Sequence, residues 1–132
     1  MTDTKNKPTI LLVGHCFPDA MMLKSAIKRA IRGVRFEKAH SVAEFEQHLP
    51  GAALAVVNRV LDGRFTSDDG IGLIRQYAAN GSGTPLMLVS NFPESQAEAE
   101  AAGAVAGFGK SDIYAAQTGE RLRAAIETHA GA

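Results

Sequence analysis

Four polar groups follow short apolar runs in this chain. Gly14-His15 follows Ile10-Leu11-Leu12-Val13, Asn58 follows Ala53-Leu54-Ala55-Val56-Val57, Ser90 follows Pro85 to Val89, and Lys110 follows Val105 to Gly109. A cation, a hydroxyl, an amide and an imidazole brought together could hold an anion or position a proton. Taken singly, each is explained by a strand end turning polar where it meets water. The layout of the set carries more information than its members. No second ligand pair sits at zinc spacing beside His15 and Cys16.

Such a set converges only if the runs are parallel strands of one sheet, because ligands in open α/β sheets sit beyond the carboxyl ends of the strands. The segments between the runs support this. Ala20, Leu23, Ile27, Ala30 and Ile31 recur at helical spacing, and Gly33 closes that helix. Val34 to Ala39 reads as a short second strand. Ser41 and Glu44 form a capping box ahead of Val42, Phe45 and Leu49, and Pro50-Gly51 stops that helix. A polar loop runs from Arg59 to Ser67. Ile71, Ile74 and Ala78 mark a third helix, ended by Asn80-Gly81-Ser82-Gly83. Pro93 suits a helix first turn, Glu94 to Ala102 are good helix formers, and Gly103 caps them. Thr118 is expected to cap a last helix carrying Leu122, Ala125, Ile126 and His129. Strand and helix alternate five times, so the expected fold is α/β, a parallel sheet with helices on both faces.

Composition fits this reading. In 132 residues, 45% are hydrophobic and 21% charged, which suits one globular domain and argues against disorder. Residues 1–8 read as a flexible lead and 9–132 as the domain. Lys plus Arg and Asp plus Glu are both 14, so the basic excess usual for nucleic-acid binders is missing. No apolar run reaches the roughly 20 residues of a membrane span, and Met1 to Lys7 lacks an apolar signal core. The single Cys16 forbids an internal disulfide. Neither nucleic acid nor membrane is expected as a partner, and a cytoplasmic location is.

From Ile10 to Ala130 the chain resembles the receiver domain of two-component response regulators. Ile10-Leu11-Leu12-Val13 stands where that family has its first strand before an acidic pair. Pro85 to Ser90 matches its fourth strand with a hydroxyl residue. Ala102-Gly103-Ala104, with Lys110 six residues after Ala104, matches the stretch leading to its lysine. The resemblance implies a flavodoxin-like, CheY-like three-layer fold with strand order 2-1-3-4-5. It also implies phosphoryl transfer to an aspartate, assisted by magnesium.

The departures bear on that chemistry. Gly14 and His15 replace the acidic pair, and Asn58 replaces the phosphoacceptor. Gly107 takes the aromatic switch position, with Phe108 beside it. A neutral amide is a poor nucleophile, and magnesium prefers hard oxygen ligands. Nucleophile and metal clamp are lost together, so no magnesium binding and no catalysis are expected. The negative cluster being gone, Lys110 is expected to donate to the Asn58 side-chain oxygen or to a backbone carbonyl. A carboxylate oxygen beside Lys110 that also contacted a metal would overturn this reading.

The expected role is therefore a non-enzymatic pseudo-receiver that binds a protein: a histidine kinase, an output protein, or a second copy through the fourth helix, fifth strand and fifth helix. One alternative is an active phosphorelay receiver using Asp62 as a substitute acceptor. Another is a small-anion sensor at Asn58, Ser90 and Lys110. Asp68 and Asp69 are read as helix N-terminal charge. Met21 and Met22 are read as packing residues, Arg121 and Arg123 as a solvated face, His40, His48 and His129 as exposed or partly packed, and Cys16 as a small filler. Gly103, Gly107 and Gly109 lack dinucleotide-loop spacing and are read as serving tight backbone geometry.

Overall fold

A computed structural model describes residues 7–67, 69–81 and 83–131, with side chains as far as 127. The lead is thus described only from Lys7, and Asp68 and the His129 side chain lie outside the described residues. Five strands, β1 (Thr9–Val13), β2 (Arg35–Ala39), β3 (Leu54–Asn58), β4 (Leu86–Val89) and β5 (Val105–Phe108), form one sheet in the order β2-β1-β3-β4-β5. All neighbours are parallel, with Val13 opposite Val57 and Asn58 opposite Val89. The expected flavodoxin-like order is the observed one.

The helices are α1 (Phe17–Ala30), α2 (Val42–His48), α3 (Gly70–Ala79), α4 (Pro93–Ala101) and α5 (Ala116–Gly131). Successive strand residues point to opposite faces, and both faces are apolar because both are covered. Leu11, Val13, Ala55, Val57 and Leu88 pack with Phe45, Ile71 and Ile74 of α2 and α3. Ile10, Leu12, Leu54, Val56 and Met87 pack with Leu23 and Ile27 of α1 and Leu122 of α5. These large side chains are almost wholly shielded, and each contributes about 1.5–3 kcal/mol on leaving water. This two-sided core sets the strand ends side by side.

Local signals acted largely as their chemistry predicts. Ser41 Oγ accepts from Glu44 N at 3.1 Å, while Glu44 Oε1 accepts from His40 N at 2.7 Å, closing the capping box one residue early. Asp69 caps α3 by accepting from Ile71 N at 3.0 Å. Thr118 does not cap the last helix. That helix already begins at Ala116, and the Thr118 hydroxyl donates to Asp112 O at 2.6 Å. Met22 packs against the α1 side of the core, but Met21 is half exposed, because it lies on the outer face of α1.

Candidate functional site

The site is built at the carboxyl ends of β1, β3, β4 and β5. Gly14 follows β1 with φ +72°, a left-handed conformation glycine adopts freely. A Cβ there would lie 2.6 Å from Leu61 Cδ2 and 3.0 Å from Leu61 Cα, so an acidic side chain at position 14 would be strained on this backbone. Its carbonyl accepts from Asn58 Nδ2 at 3.0 Å and from Asp62 N at 2.9 Å. Asn58 Nδ2 also donates to Val60 O at 2.8 Å. The amide nitrogen thus ties β3 to the turn after β1. A carboxylate in its place would set oxygen against two carbonyl oxygens.

His15 is 1% exposed. Its Nε2 lies 2.8 Å from Val56 O, to which it donates, and its buried Nδ1 has no partner among the described residues. Burial pushes its pKa down to about 4, although the bond to Val56 works the other way. It is a neutral packing group at ordinary pH. Cys16 is half-buried beside it.

Lys110 holds a carboxylate that sequence reasoning overlooked. Its Nζ lies 2.5 Å from Asp19 Oδ2 and forms a salt bridge with it. The expectation that Lys110 would donate to Asn58 or a backbone carbonyl is therefore corrected. Asp19 stands in the first turn of α1, where the helix dipole also favours an anion. The bond from Lys110 holds its carboxyl below the usual carboxylate range, with a smaller contribution from the Cys16 thiol. The available signal was positional: a helix starting directly after β1 must carry its first-turn residues over the strand ends.

Ser90, Asn58 and Lys110 line one open cavity of ≈ 240 Å³, together with Val60, Asn91 and Phe92. The Ser90 hydroxyl accepts from Phe92 N at 3.2 Å, and Asn91 Oδ1 accepts from Ser111 N at 3.1 Å. Asp62 is exposed, and only its backbone is tied to the site. The structure therefore brings Gly14, Asn58, Ser90 and Lys110 to one rim, with His15 buried beneath α1.

Gly107 passes so close to β4 that a Cβ would fall 2.2 Å from Leu88 O and 2.7 Å from Gln96 Oε1. Gln96 of α4 donates through Nε2 to Leu88 O, Ser90 O and Phe108 O at 3.0, 3.1 and 3.2 Å. Arg121 donates to Gly107 O rather than standing in solvent. Phe108 is buried against the α1 side of the core. No side chain projects from position 107 to swing.

The Asp19 carboxylate at Lys110 is already bonded, Gly14 offers no side-chain ligand, and His15 offers a buried nitrogen. Among the described residues no group of three His, Cys, Asp or Glu could hold a metal ion, and no helix is long and apolar enough to cross a membrane.

No protein-family model and no curated protein matches the chain. Solved structures do match its fold. It resembles the signal receiver domain of an HD domain-containing protein from Pseudomonas fluorescens, with 20% identity, TM-score 0.74, and 96% of this chain and 99% of that one covered. It is similar to the signal receiver domain of a DNA binding response regulator from Colwellia psychrerythraea at 12% identity and TM-score 0.73, covering 92% and 99%. NtrX from Brucella abortus matches at 18% identity and TM-score 0.70; 94% of this chain covers 28% of that longer one. The chain has the CheY-like receiver fold.

Proposed function

We propose that this chain is a pseudo-receiver of two-component signalling, a cytoplasmic protein-interaction module that works without phosphorylation, without magnesium and without catalysis. The observation that carries the reading is the Asp19–Lys110 ion pair. In phosphoryl transfer a lysine is useful when it is free to meet the incoming phosphoryl oxygens, and a carboxylate oxygen must attack phosphorus while a cation neutralises the charge. Here the ammonium is engaged by a carboxylate of the same chain. The acceptor position holds an amide whose nitrogen is bonded to two carbonyls. The site is electrostatically satisfied with nothing added.

The partner surface is then presented in one state. Gln96 ties α4 to the ends of β4 and β5, and Gly107 has no side chain to signal through. A histidine kinase, an output protein or a second copy meeting α4, β5 and α5 would be bound according to abundance, not phosphorylation. The Asp62 receiver and the small-anion sensor are the competing readings; the ion pair weighs against both because it occupies Lys110.

Incubation with acetyl phosphate and magnesium, followed by intact mass measurement, tests this. No phosphoryl adduct is expected on the natural chain, on Asp62→Ala or on Asp19→Asn. A stoichiometric adduct that Asp62→Ala removes would establish the substitute-acceptor reading instead.

A further inference from the structure

Away from the strand ends, a cleft between α1 and α5 forms a cavity of ≈ 290 Å³. Its floor is made of small residues: Ala26 and Ala30 of α1 and Gly119 of α5. A Cβ on Gly119 would come within 3.5 Å of Ala30 Cβ and 3.3 Å of the Arg123 guanidinium, so glycine is what keeps this floor low. Glycine disfavours a helix, and here its absence of a side chain leaves room.

Two guanidinium groups border the cavity. Arg29 lies over the half-exposed Tyr114 ring, 5.1 Å from its centroid. Arg123 donates to Ala30 O at 3.1 Å, which fixes its fork at the rim and leaves its other N–H groups free to turn inward. Neither arginine is ion-paired with a carboxylate among the described residues. Lys28 and Arg32 add positive charge to the same end of α1, and Glu120 is the one acidic residue in the lining. Guanidinium forks bind the oxygens of phosphate and carboxylate through two parallel N–H bonds. Tyr114, with Arg29 against it, offers a flat surface to an aromatic or similarly flat group. The volume lies at the bottom of the range for small-ligand pockets, about 300 Å³ upward, so the occupant is small.

We infer that this α1–α5 cleft binds a small flat molecule carrying a phosphate or carboxylate group, with the anion held between Arg29 and Arg123 and the flat part lying on Tyr114. None of the strand-end residues lines the cleft, so the inference stands apart from the fate of the phosphorylation site.

Titration of the ¹⁵N-labelled chain with phenyl phosphate and, separately, benzoate tests it by NMR, with phenol as the uncharged control. Saturable shifts are expected at the Ala115, Ala116 and Gly119 amides, and the probe that binds more tightly identifies the preferred anion. Arg29→Gln and Arg123→Gln should each weaken binding at least tenfold; both side chains are exposed, so the remaining spectrum should be unchanged. Arg123→Lys should recover part of the loss. The inference is overturned if neither anion gives saturable shifts there, if phenol shifts the same amides equally, or if the glutamine variants bind as tightly as the natural chain.

Discussion

The two halves of the strand-end rim are built in different ways. At the ends of β1 and β3, the side chains are neutral and their polar atoms are tied to backbone: Asn58 to Gly14 O and Val60 O, His15 to Val56 O. At the ends of β4 and β5, Ser90 and Lys110 each have a local partner, Phe92 N and Asp19. One half carries no charge. The other carries a charge and neutralises it from within the chain. A fold held by a two-sided apolar core accommodates both arrangements, because the site contributes little to that core.

Substitutions toward the receiver residue types should cost in proportion to how much backbone they displace. Gly107→Tyr, which places an aromatic at position 107, drives a Cβ into Leu88 O. Backbone cannot yield as a side-chain tip can, so a loss of about 3 kcal/mol or more is expected in denaturant melts. A variant as stable as the natural chain would mean that β5 moves freely.

His15 sets the acid response of the first half. Its folded pKa, about 4, lies below the 6.5 of the unfolded chain. Between those values the unfolded chain binds a proton that the folded chain refuses, so stability is full above pH 6.5 and falls as pH drops toward 4. The expected loss is about 3 kcal/mol. His15→Leu should flatten the profile across that window. The lowered Asp19 carboxyl contributes above 3.8 and is lost only below it, so the two groups separate by pH.

Asn58→Asp restores the acceptor type but places a carboxylate against two carbonyl oxygens. Loss of those bonds should cost about 1–3 kcal/mol. It should also leave acetyl phosphate labelling absent, because Gly14 cannot carry the missing ligand. Lys110→Met should cost less than about 1 kcal/mol, because the pair is partly exposed. Its clearer effect is on Asp19, whose carboxyl should titrate at higher pH when followed by ¹³C NMR.

The sequence was most informative where periodicity and burial act together. The run from Ile10 to Val13 and the helical spacing of Ala20, Leu23 and Ile27 specify which faces meet, whereas the strand order was implied by the resemblance to receiver domains. Asn58, Ser90 and Lys110 could be placed because parallel strands must end on the same rim. Asp19 was hidden because its role depends on the path of α1 over the sheet, and a first-turn aspartate has an adequate local reason to be there. Gln96 was hidden because a polar residue in a polar helix gives no sign that it reaches three carbonyls. Gly107 could be read as an absence, yet the closeness of β4 that requires glycine is a property of the strand bulge.

The proposed function requires that Lys110, engaged by Asp19, is not free to meet a phosphoryl group. Titration of the ¹⁵N-labelled chain with beryllium fluoride and magnesium, a phosphoryl mimic, tests it directly. The expected result is unchanged amide signals at Asn58, Ser90 and Lys110. A second set of signals at those residues, filling in slow exchange as the Asp19 contact is released, would contradict it.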